Sequence, residues 1–204
     1  MTIDTAIEPM RLVTAKGVEI DLDPLNGLWT EAQYLALSDH ARTLVEYTDG
    51  DMEILEMPTP YHQRIVLFLY RLLFNLLDAQ GADIFVAPLR MRVRSGAFRE
   101  PDLLVLLDRD NPRGVGRFWE GADLVVEVVS NDDPTRDTVT KRADYAAASI
   151  PEYWIVNPID TTITVLTLVG GTYHEHCVAV AGAQATSALI PGLGVDVAAV
   201  FAAR

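Results

Sequence analysis

The hydrophobic and polar positions of this chain change period along its length, and these changes predict where helices and strands lie. Apolar residues recur at helical spacing from His62 to Leu77, and Gly81 stands where that helix is expected to end, near residue 80. A second helix is predicted over 134–149, with Asp133 as its N-cap and Pro134 in its first turn. A shorter helical pattern follows Thr30.

Other segments have the patterns of strands. The Asp-Gly pair in "VEYTDGDMEIL" is typical of a hairpin turn, and "PDLLVLL" and "DLVVEVV" are unbroken apolar runs typical of central strands covered on both faces. The segment "EYWIVNP" predicts another strand, and a hairpin is expected about Gly170 and Gly171. This order of elements predicts an α/β (α+β) fold, a central mixed β-sheet flanked by helices, with additional N- and C-terminal β-structure.

Length and composition predict one folded domain. Residues 1–27 show no sustained period and are expected to form an N-terminal lead-in, while 28–204 are expected to form a single domain. A chain of 204 residues that is 50% hydrophobic can bury one well-packed core. Neither a signal segment nor an apolar run of membrane-spanning length is visible, which predicts a cytoplasmic protein without membrane contact.

The overall charge argues against non-specific binding to nucleic acids. The formal net charge is -13 at pH 7, and such binding depends on lysine and arginine side chains that neutralise phosphates. A local basic surface or a bound divalent cation can nevertheless reverse the potential at one site. The charge therefore limits where a nucleic acid could bind without excluding it.

Two acidic residues stand in apolar surroundings. Glu127 lies at the centre of "LVVEVVS", and Asp102 follows Pro101 at the start of the preceding apolar run. If these runs form adjacent strands, the two carboxylates converge, and they repel each other unless one keeps a proton or a divalent cation lies between them. Oxygen ligands favour Mg²⁺ or Mn²⁺ over zinc. A structural ion pair explains the pattern of these two residues equally well.

A cation from the following helix is the other candidate to neutralise Glu127. Lys141 lies four residues after Asp137 and four before Tyr145, so the three share a helical face. The more apolar face lies roughly opposite and contains Val139, Ala143, Ala146 and Ala147. Periodicity alone therefore predicts that Lys141 is exposed to solvent.

Several motifs, in this order and spacing, resemble the Uma-two family of bacterial restriction endonucleases within the PD-(D/E)XK nuclease superfamily. The resemblance extends from about Trp29 to Phe201, and it implies a restriction-endonuclease-like core. The segments that carry it are "EYTDGDMEILEMPTPYHQRIV", "EPDLLVL", "LVVEVVSNDDPTRDTVTKRADYAAASIPEYWIVNP" and "LIPGLGVDVAAVF".

The resemblance implies roles for individual residues. Asp102 and Glu127 correspond to the acids that bind magnesium in that superfamily. The superfamily's lysine two residues after the second acid is replaced here by Val129, and the Uma-two pattern places a lysine on the next helix, at Lys141. On this basis Lys141 is expected to be the catalytic cation, against the periodicity.

Further residues match the family pattern less decisively. The family has a glutamate at the position of Glu46 and a histidine at that of His62. Glu46 is a candidate further catalytic acid, or an ordinary strand carboxylate that pairs with an arginine. His62 shares a helix face with apolar residues, which favours a hydrogen-bonded core histidine over an accessory site residue. Tyr145 is a candidate accessory residue because it shares a face with Lys141.

A basic stripe offers a candidate contact with DNA. In "LRMRVRS" the period of two places Arg90, Arg92 and Arg94 on one face of a strand. A solvated face that offsets the acidity is the simpler interpretation, and a surface that contacts phosphates is the alternative.

Together, residues and resemblance predict an endonuclease that cleaves DNA with Mg²⁺ or Mn²⁺. A catalytically inactive protein that kept the nuclease fold as a binding or scaffold module is the competing hypothesis. A homodimer is a further expectation, because nucleases that cut both strands often act as dimers and exposed strand edges can pair.

Overall fold

The computed structural model describes residues 10–114 and 116–203. In these ranges the strands are β1 Arg11–Val13, β2 Glu19–Asp21, β3 Val45–Thr48, β4 Asp51–Ile54, β5 Asp83–Val86, β6 Met91–Arg94, β7 Ala97–Arg99, β8 Leu103–Leu106, β9 Trp119–Glu120, β10 Leu124–Val128, β11 Glu152–Asn157, β12 Thr162–Val169, β13 Thr172–Ala179, β14 Gln184–Thr186 and β15 Gly194–Asp196. The α-helices are α1 Glu31–Ser38, α2 Pro60–Leu77, α3 Lys141–Ala147 and α4 Val197–Phe201, with 3₁₀ turns at Asp23–Leu25 and Asp78–Gln80 and a π-helical turn at Arg136–Thr140.

Two larger sheets organise the fold. The six-stranded sheet has the order β13-β12-β11-β10-β8-β5, in which β10 and β11 are parallel and the other neighbours are antiparallel. A five-stranded sheet has the order β4-β3-β7-β6-β9. Short two-stranded sheets, β1-β2 and β14-β15, lie near the two ends of the chain. The predicted mixed sheet flanked by helices, with extra β-structure at both ends, is confirmed.

Apolar side chains cover both faces of the six-stranded sheet. Because successive strand residues point to opposite faces, Val126 of β10 packs in one cluster with Leu69 of α2, while Val125 packs in another with Tyr145 of α3. All four side chains are at least 98% buried. Burying one such apolar side chain stabilises a fold by about 1.5–3 kcal/mol, so the two layers hold β10 firmly.

Strand pairing brings the two candidate acids together. β8 and β10 are antiparallel neighbours, with Val126 opposite Leu103, so Asp102 lies beside Glu127 just beyond the last pair of the ladder. Glu127 shares the strand face of Val125, which packs toward α3. The prediction that the two apolar runs form adjacent strands is therefore confirmed.

The ends of α1 and α2 follow their capping residues. Thr30 and Gln33 form a capping box at the start of α1. The Thr59 hydroxyl accepts a hydrogen bond from the His62 amide at the start of α2, and Gly81 adopts the left-handed conformation (φ 88°) after the 3₁₀ turn that follows α2. The helix beginning at Thr30 and the end of the long helix at Gly81 are confirmed.

The second predicted helix contains a π-helical turn, and the prediction that Lys141 on this helix is exposed is wrong. Residues 134–147 form one continuous helix, but Arg136–Thr140 are π-helical, with bonds that span one residue more than in an α-helix. In the α-helical part that follows, the buried face contains Lys141 and Tyr145, whereas the alanines Ala143 and Ala147 are exposed. Lys141 is 3% exposed, whereas Val139, on the predicted apolar face, is 64% exposed.

The predicted lead-in of residues 1–27 lies partly outside the described residues, since 1–9 are not among them. Residues 10–27 contain the β1-β2 hairpin, whose strand residues are all exposed, and a 3₁₀ turn. The division into a lead-in and a single domain stays a prediction. Within the described ranges, no helix combines the length and the apolar character needed to cross a membrane.

Candidate active site

A cavity of about 240 Å³ lies between α2, the end of β10 and the π-helical turn. We call it the acidic cavity, because five of the residues below are acids. Its polar lining includes His62, Glu100, Asp102, Glu127, Asp132, Arg136, Asp137 and Lys141. Strand β10 contributes Glu127, the residue before β8 contributes Asp102, and the π-helical turn brings Arg136, Asp137 and the following Lys141 to the same space.

Lys141 is surrounded by carboxylates. Its Nζ lies 3.0 Å from Glu127 Oε1, 3.2 Å from Asp137 Oδ1 and 3.3 Å from Glu46 Oε1. Burial alone would lower the pKa of Lys141, but the attraction of Glu127, Glu46 and Asp137 outweighs it and holds that pKa well above its ordinary value. Lys141 is therefore a buried cation that carries its charge at neutral pH.

One ammonium does not balance the acids around it. Burial raises the pKa of Glu127 well above its ordinary value, although Lys141 opposes this shift; the charges of Asp137 and Asp102 reinforce it. Burial likewise raises the pKa of Asp137, again against the effect of Lys141. The cavity therefore holds more carboxyl groups than its one enclosed cation can keep ionised without cost.

Glu46 supports Lys141 from outside the lining of the cavity. It is 1% exposed on β3 and lies 3.6 Å from the Nε of Arg99, so it pairs with an arginine as well as with Lys141. Its Oε1 also accepts a hydrogen bond of 3.1 Å from the Glu100 amide. The structure thus places Glu46 next to the cavity residues, with its carboxylate held on several sides.

Asp102 is held by β10 and by His62. Its Oδ2 accepts a hydrogen bond of 2.8 Å from the Val128 amide and lies 3.2 Å from His62 Nε2. The same imidazole nitrogen lies 2.9 Å from the Val128 carbonyl oxygen. Burial lowers the pKa of His62, but the hydrogen bond and charge of Asp102 outweigh burial and raise it overall. His62 is hydrogen-bonded and half-buried, and it faces the cavity.

Tyr145 contacts Glu127 directly. Its hydroxyl donates a hydrogen bond to Glu127 Oε1, and both side chains are buried. Burial, reinforced by the charge of Glu127, raises the pKa of Tyr145 well above its ordinary value. The phenol is therefore a neutral donor that fixes the orientation of the Glu127 carboxyl group.

The three arginines of the predicted basic stripe do not line the acidic cavity. Arg90 pairs with Asp39, Arg92 with Glu31 and Glu120, and Arg94 with Asp49. Arg92 also lies over the rings of Phe98 and Phe118. Of the two interpretations, these ion pairs favour the solvated face, and contact with phosphate by the stripe stays a prediction.

Sequence reasoning did not identify Asp137 and Glu100 as site residues. The signal for Asp137 was present, because the spacing of Asp137, Lys141 and Tyr145 places all three on the buried face. Glu100 immediately precedes the Pro-Asp pair, and local sequence gives no reason to expect a charged residue there to be buried. Glu100 is 6% exposed, and its Oε1 accepts a hydrogen bond from the Val45 amide, 55 residues earlier in the chain.

The donor set of the cavity suits a hard divalent cation. Asp102 and Glu127 lie side by side and offer carboxylate oxygens, the ligand type that Mg²⁺ prefers. Mg²⁺ commonly keeps several waters and uses one or two carboxylates, so two are sufficient. Among the described residues no group of three acids, histidines or cysteines is arranged to hold a metal. The excess of carboxyl groups over enclosed cations is the observation that fits a divalent ion.

Glu100 gives a prediction about stability and pH. Burial raises the pKa of its carboxyl group from 4.5 to about 7, and its Oε2 has no hydrogen-bond partner among the described residues. Because the folded-state pKa is raised, the ionised carboxyl group costs stability above pH 7, and this cost disappears below the ordinary pKa. The limit of the effect is ~3 kcal/mol.

We therefore expect Glu100→Gln to gain stability relative to the wild type as pH rises from 4.5 to about 7. Urea unfolding of both proteins at several pH values measures the difference, and changes in other acids cancel in the comparison. A difference in unfolding free energy that stays constant with pH would contradict the assignment of the raised pKa to this side chain.

Comparison with known proteins gives a family match over most of the chain. The model of the Uma2 family, described as "Putative restriction endonuclease", matches residues 31–198, a range that contains every cavity residue named above. A search of curated proteins found no match.

Solved structures also match. One is described as a putative nuclease belonging to DUF820 from Anabaena variabilis ATCC 29413. It superimposes with a TM-score of 0.65 at 16% sequence identity, over 82% of this chain and 97% of the other. At this identity the similarity concerns the fold.

Proposed function

The chain belongs to the Uma2 family, and from this membership and the acidic cavity we propose that it is a magnesium-dependent endonuclease that hydrolyses DNA phosphodiester bonds. The observation that carries the proposal is the convergence of Asp102, Glu127 and Lys141 in one cavity. Asp102 directly precedes β8, Glu127 lies on the adjacent strand β10 and Lys141 begins α3. The resemblance to the superfamily implies that the two acids are metal ligands. Mn²⁺ is expected to replace Mg²⁺, since the two ions share a preference for oxygen ligands.

Asp102 and Glu127 would hold the metal ion. When bound, Mg²⁺ supplies an activated water and neutralises charge on the phosphoryl oxygens. The hydrogen bonds from the Val128 amide to Asp102 and from Tyr145 to Glu127 fix the orientations of the two carboxyl groups before a cation arrives. Metal ligands that are already held in position lose less conformational freedom when the metal binds. We assign this positioning role to Tyr145, which holds Glu127, and to His62, which holds Asp102.

Lys141 would stabilise negative charge on the phosphoryl group or orient the attacking water. Its raised pKa keeps it in the ammonium form, which is the form needed for this electrostatic role. Glu46 and Asp137 contact the same Nζ and hold the ammonium beside Glu127. In this proposal Glu46 acts through Lys141 and is a positioning residue.

One observation favours the competing hypothesis of a catalytically inactive binding or scaffold module. The Lys141 ammonium contacts three carboxylates, which is also the arrangement of a purely structural buried ion cluster. Divalent-metal dependence separates the two hypotheses, because a structural cluster needs no added cation.

The test is nicking of supercoiled plasmid DNA. We expect cleavage with Mg²⁺ or Mn²⁺ and little with Ca²⁺, whose looser coordination holds the attacking water less well. Asp102→Asn keeps the shape of the side chain and should abolish cleavage, whereas Asp83→Asn, on β5 and outside the cavity, should not. Equal cleavage in the presence of a chelator would overturn the proposal. Nucleases that cut both strands often act as dimers, and a homodimer is our prediction for that activity.

A further inference from the structure

Two groups with permanent positive charge line the acidic cavity among the described residues, Lys141 and Arg136. Lys141 is enclosed, with 4% of its side chain exposed, and its ammonium is committed to three carboxylates. Arg136 is less enclosed, with 14% of its side chain exposed. An anion that enters the cavity from solvent would therefore meet the guanidinium of Arg136 at its more exposed side.

The guanidinium of Arg136 does not use all of its N–H groups in hydrogen bonds to the described residues. Its Nε and one terminal nitrogen bind Glu53 Oε1 at 3.1 and 2.7 Å, and the other terminal nitrogen binds Asp132 Oδ2 at 2.9 Å. Among the residues that the structure describes, these bonds use three of the five N–H groups and leave one on each terminal nitrogen. Two N–H groups on neighbouring nitrogens match the spacing of two oxygens of a phosphate.

The two carboxylates that hold Arg136 differ in exposure. Glu53 lies on β4 with 53% of its side chain exposed, while Asp132 is 15% exposed and lines the cavity. An ion pair with an exposed carboxylate contributes little to stability, because water competes with it. A phosphate could therefore displace Glu53 from the guanidinium more readily than it could displace Asp132.

We propose that Arg136 binds a phosphate group of the substrate DNA at the exposed side of the acidic cavity, and that Glu53 competes with this phosphate for the guanidinium. The inference rests on the proposed function, and it adds the residue that receives the negatively charged backbone. It also accounts for how a chain with a net charge of -13 could admit a polyanion next to a group of carboxylates. The subsite is one guanidinium with two N–H groups that have no partner among the described residues, and it lines the same cavity as the proposed metal ligands.

The test is binding of a short fluorescein-labelled duplex oligonucleotide, measured by anisotropy with Ca²⁺ in place of Mg²⁺ to limit hydrolysis. We expect Arg136→Gln to weaken binding about tenfold or more, since charged hydrogen bonds are lost. It should also reduce the slope of log affinity against log salt by about 0.9, the value for one phosphate contact. Glu53→Gln should strengthen binding, because it removes the competitor.

Two comparisons make the result specific. In the background of Arg136→Gln, the Glu53→Gln substitution should have no further effect on affinity, because its action requires the guanidinium. Arg113→Gln is the matched control: Arg113 also pairs with a carboxylate, Asp123, with 25% of its side chain exposed, and it does not line the cavity. Arg113→Gln should leave affinity and salt slope unchanged.

The outcomes separate this inference from the proposed function. A wild type that nicks plasmid DNA, together with an Arg136→Gln variant of unchanged affinity and salt slope, would overturn the inference alone. A wild type that neither nicks nor binds DNA would overturn the proposed function. If circular dichroism shows that Arg136→Gln is unfolded, the DNA affinity of Glu53→Gln tests the inference instead. Unchanged or weaker DNA binding by Glu53→Gln would contradict the proposed competition.

Discussion

Replacing Lys141 by methionine is expected to destabilise the protein by about 3–5 kcal/mol at neutral pH and to abolish nicking. Methionine fills a similar volume without the charge, so the loss measures the ammonium and not a cavity. The substitution leaves Glu46, Glu127 and Asp137 buried without the cation that all three contact. Uncompensated buried charges are among the few single changes that cost this much.

The pH dependence and a second lysine test this explanation. As pH falls, Glu127 and Asp137 take up protons early because their pKa values are raised, so neutral carboxyl groups no longer require a cation. The destabilisation should therefore shrink in acid. Lys16 is the other lysine of the chain and is exposed on the hairpin near the N-terminus, and Lys16→Met should change stability by less than about 0.5 kcal/mol. Urea unfolding that shows less than about 1 kcal/mol for Lys141→Met would contradict the role of this lysine.

Asp102 and Glu127 could be predicted as candidate site residues from the sequence, because each is an acidic residue within or next to an apolar run. An acid in an apolar run is a local signal, and the pairing of consecutive runs in one sheet is a strong tendency of folds. The same reasoning failed for the exposure of Lys141, because it took alanines as the mark of the buried face. In α3 the residues Ala143 and Ala147 are exposed, whereas Tyr145, on the face of Lys141, is buried.

A buried acid in a strand does not by itself indicate a site, as Glu152 shows. It begins β11 and is 0% exposed, yet its oxygens accept hydrogen bonds from Trp154 Nε1, the Ser187 hydroxyl and the backbone amides of Ala188 and Leu189. Three of these donors lie 35 to 37 residues further along the chain. Sequence alone could not distinguish this satisfied carboxylate from Glu127, because the difference depends on long-range partners.

Residues at the edge of the site were also beyond sequence reasoning. Arg136 pairs with Glu53, which lies 83 residues earlier, and the pairing depends on where β4 passes the π-helical turn. Arg90, Arg92 and Arg94 were candidates for DNA contact because they alternate with apolar residues along the strand. Alternation indicates which residues share a face of a strand, but it does not indicate which cavity lies next to that face.

Glu127→Gln is expected to make the metal-free protein more stable by about 1 kcal/mol or more and to remove most of the stabilisation by Mg²⁺. Burial raises the pKa of Glu127, so ionising this carboxyl group costs stability at neutral pH. The substitution removes the charge with little change in shape. Lys141 is not left alone, because it keeps its contacts with Glu46 and Asp137.

The sign of the pH effect follows from the same shift. An acid whose pKa is raised by folding lowers the stability of the folded protein when the pH is above its folded-state pKa. It has no such effect below its ordinary pKa near 4.5. The stability advantage of Glu127→Gln over the wild type should therefore grow as pH rises. Mg²⁺ at 100 times its dissociation constant stabilises a folded protein by about 2.7 kcal/mol, and this gain requires an intact site. Thermal melts of both proteins, with chelator and with Mg²⁺, measure the two effects together. A destabilised variant, combined with a wild type indifferent to Mg²⁺, would mean that Glu127 serves Lys141 as a structural partner and holds no metal.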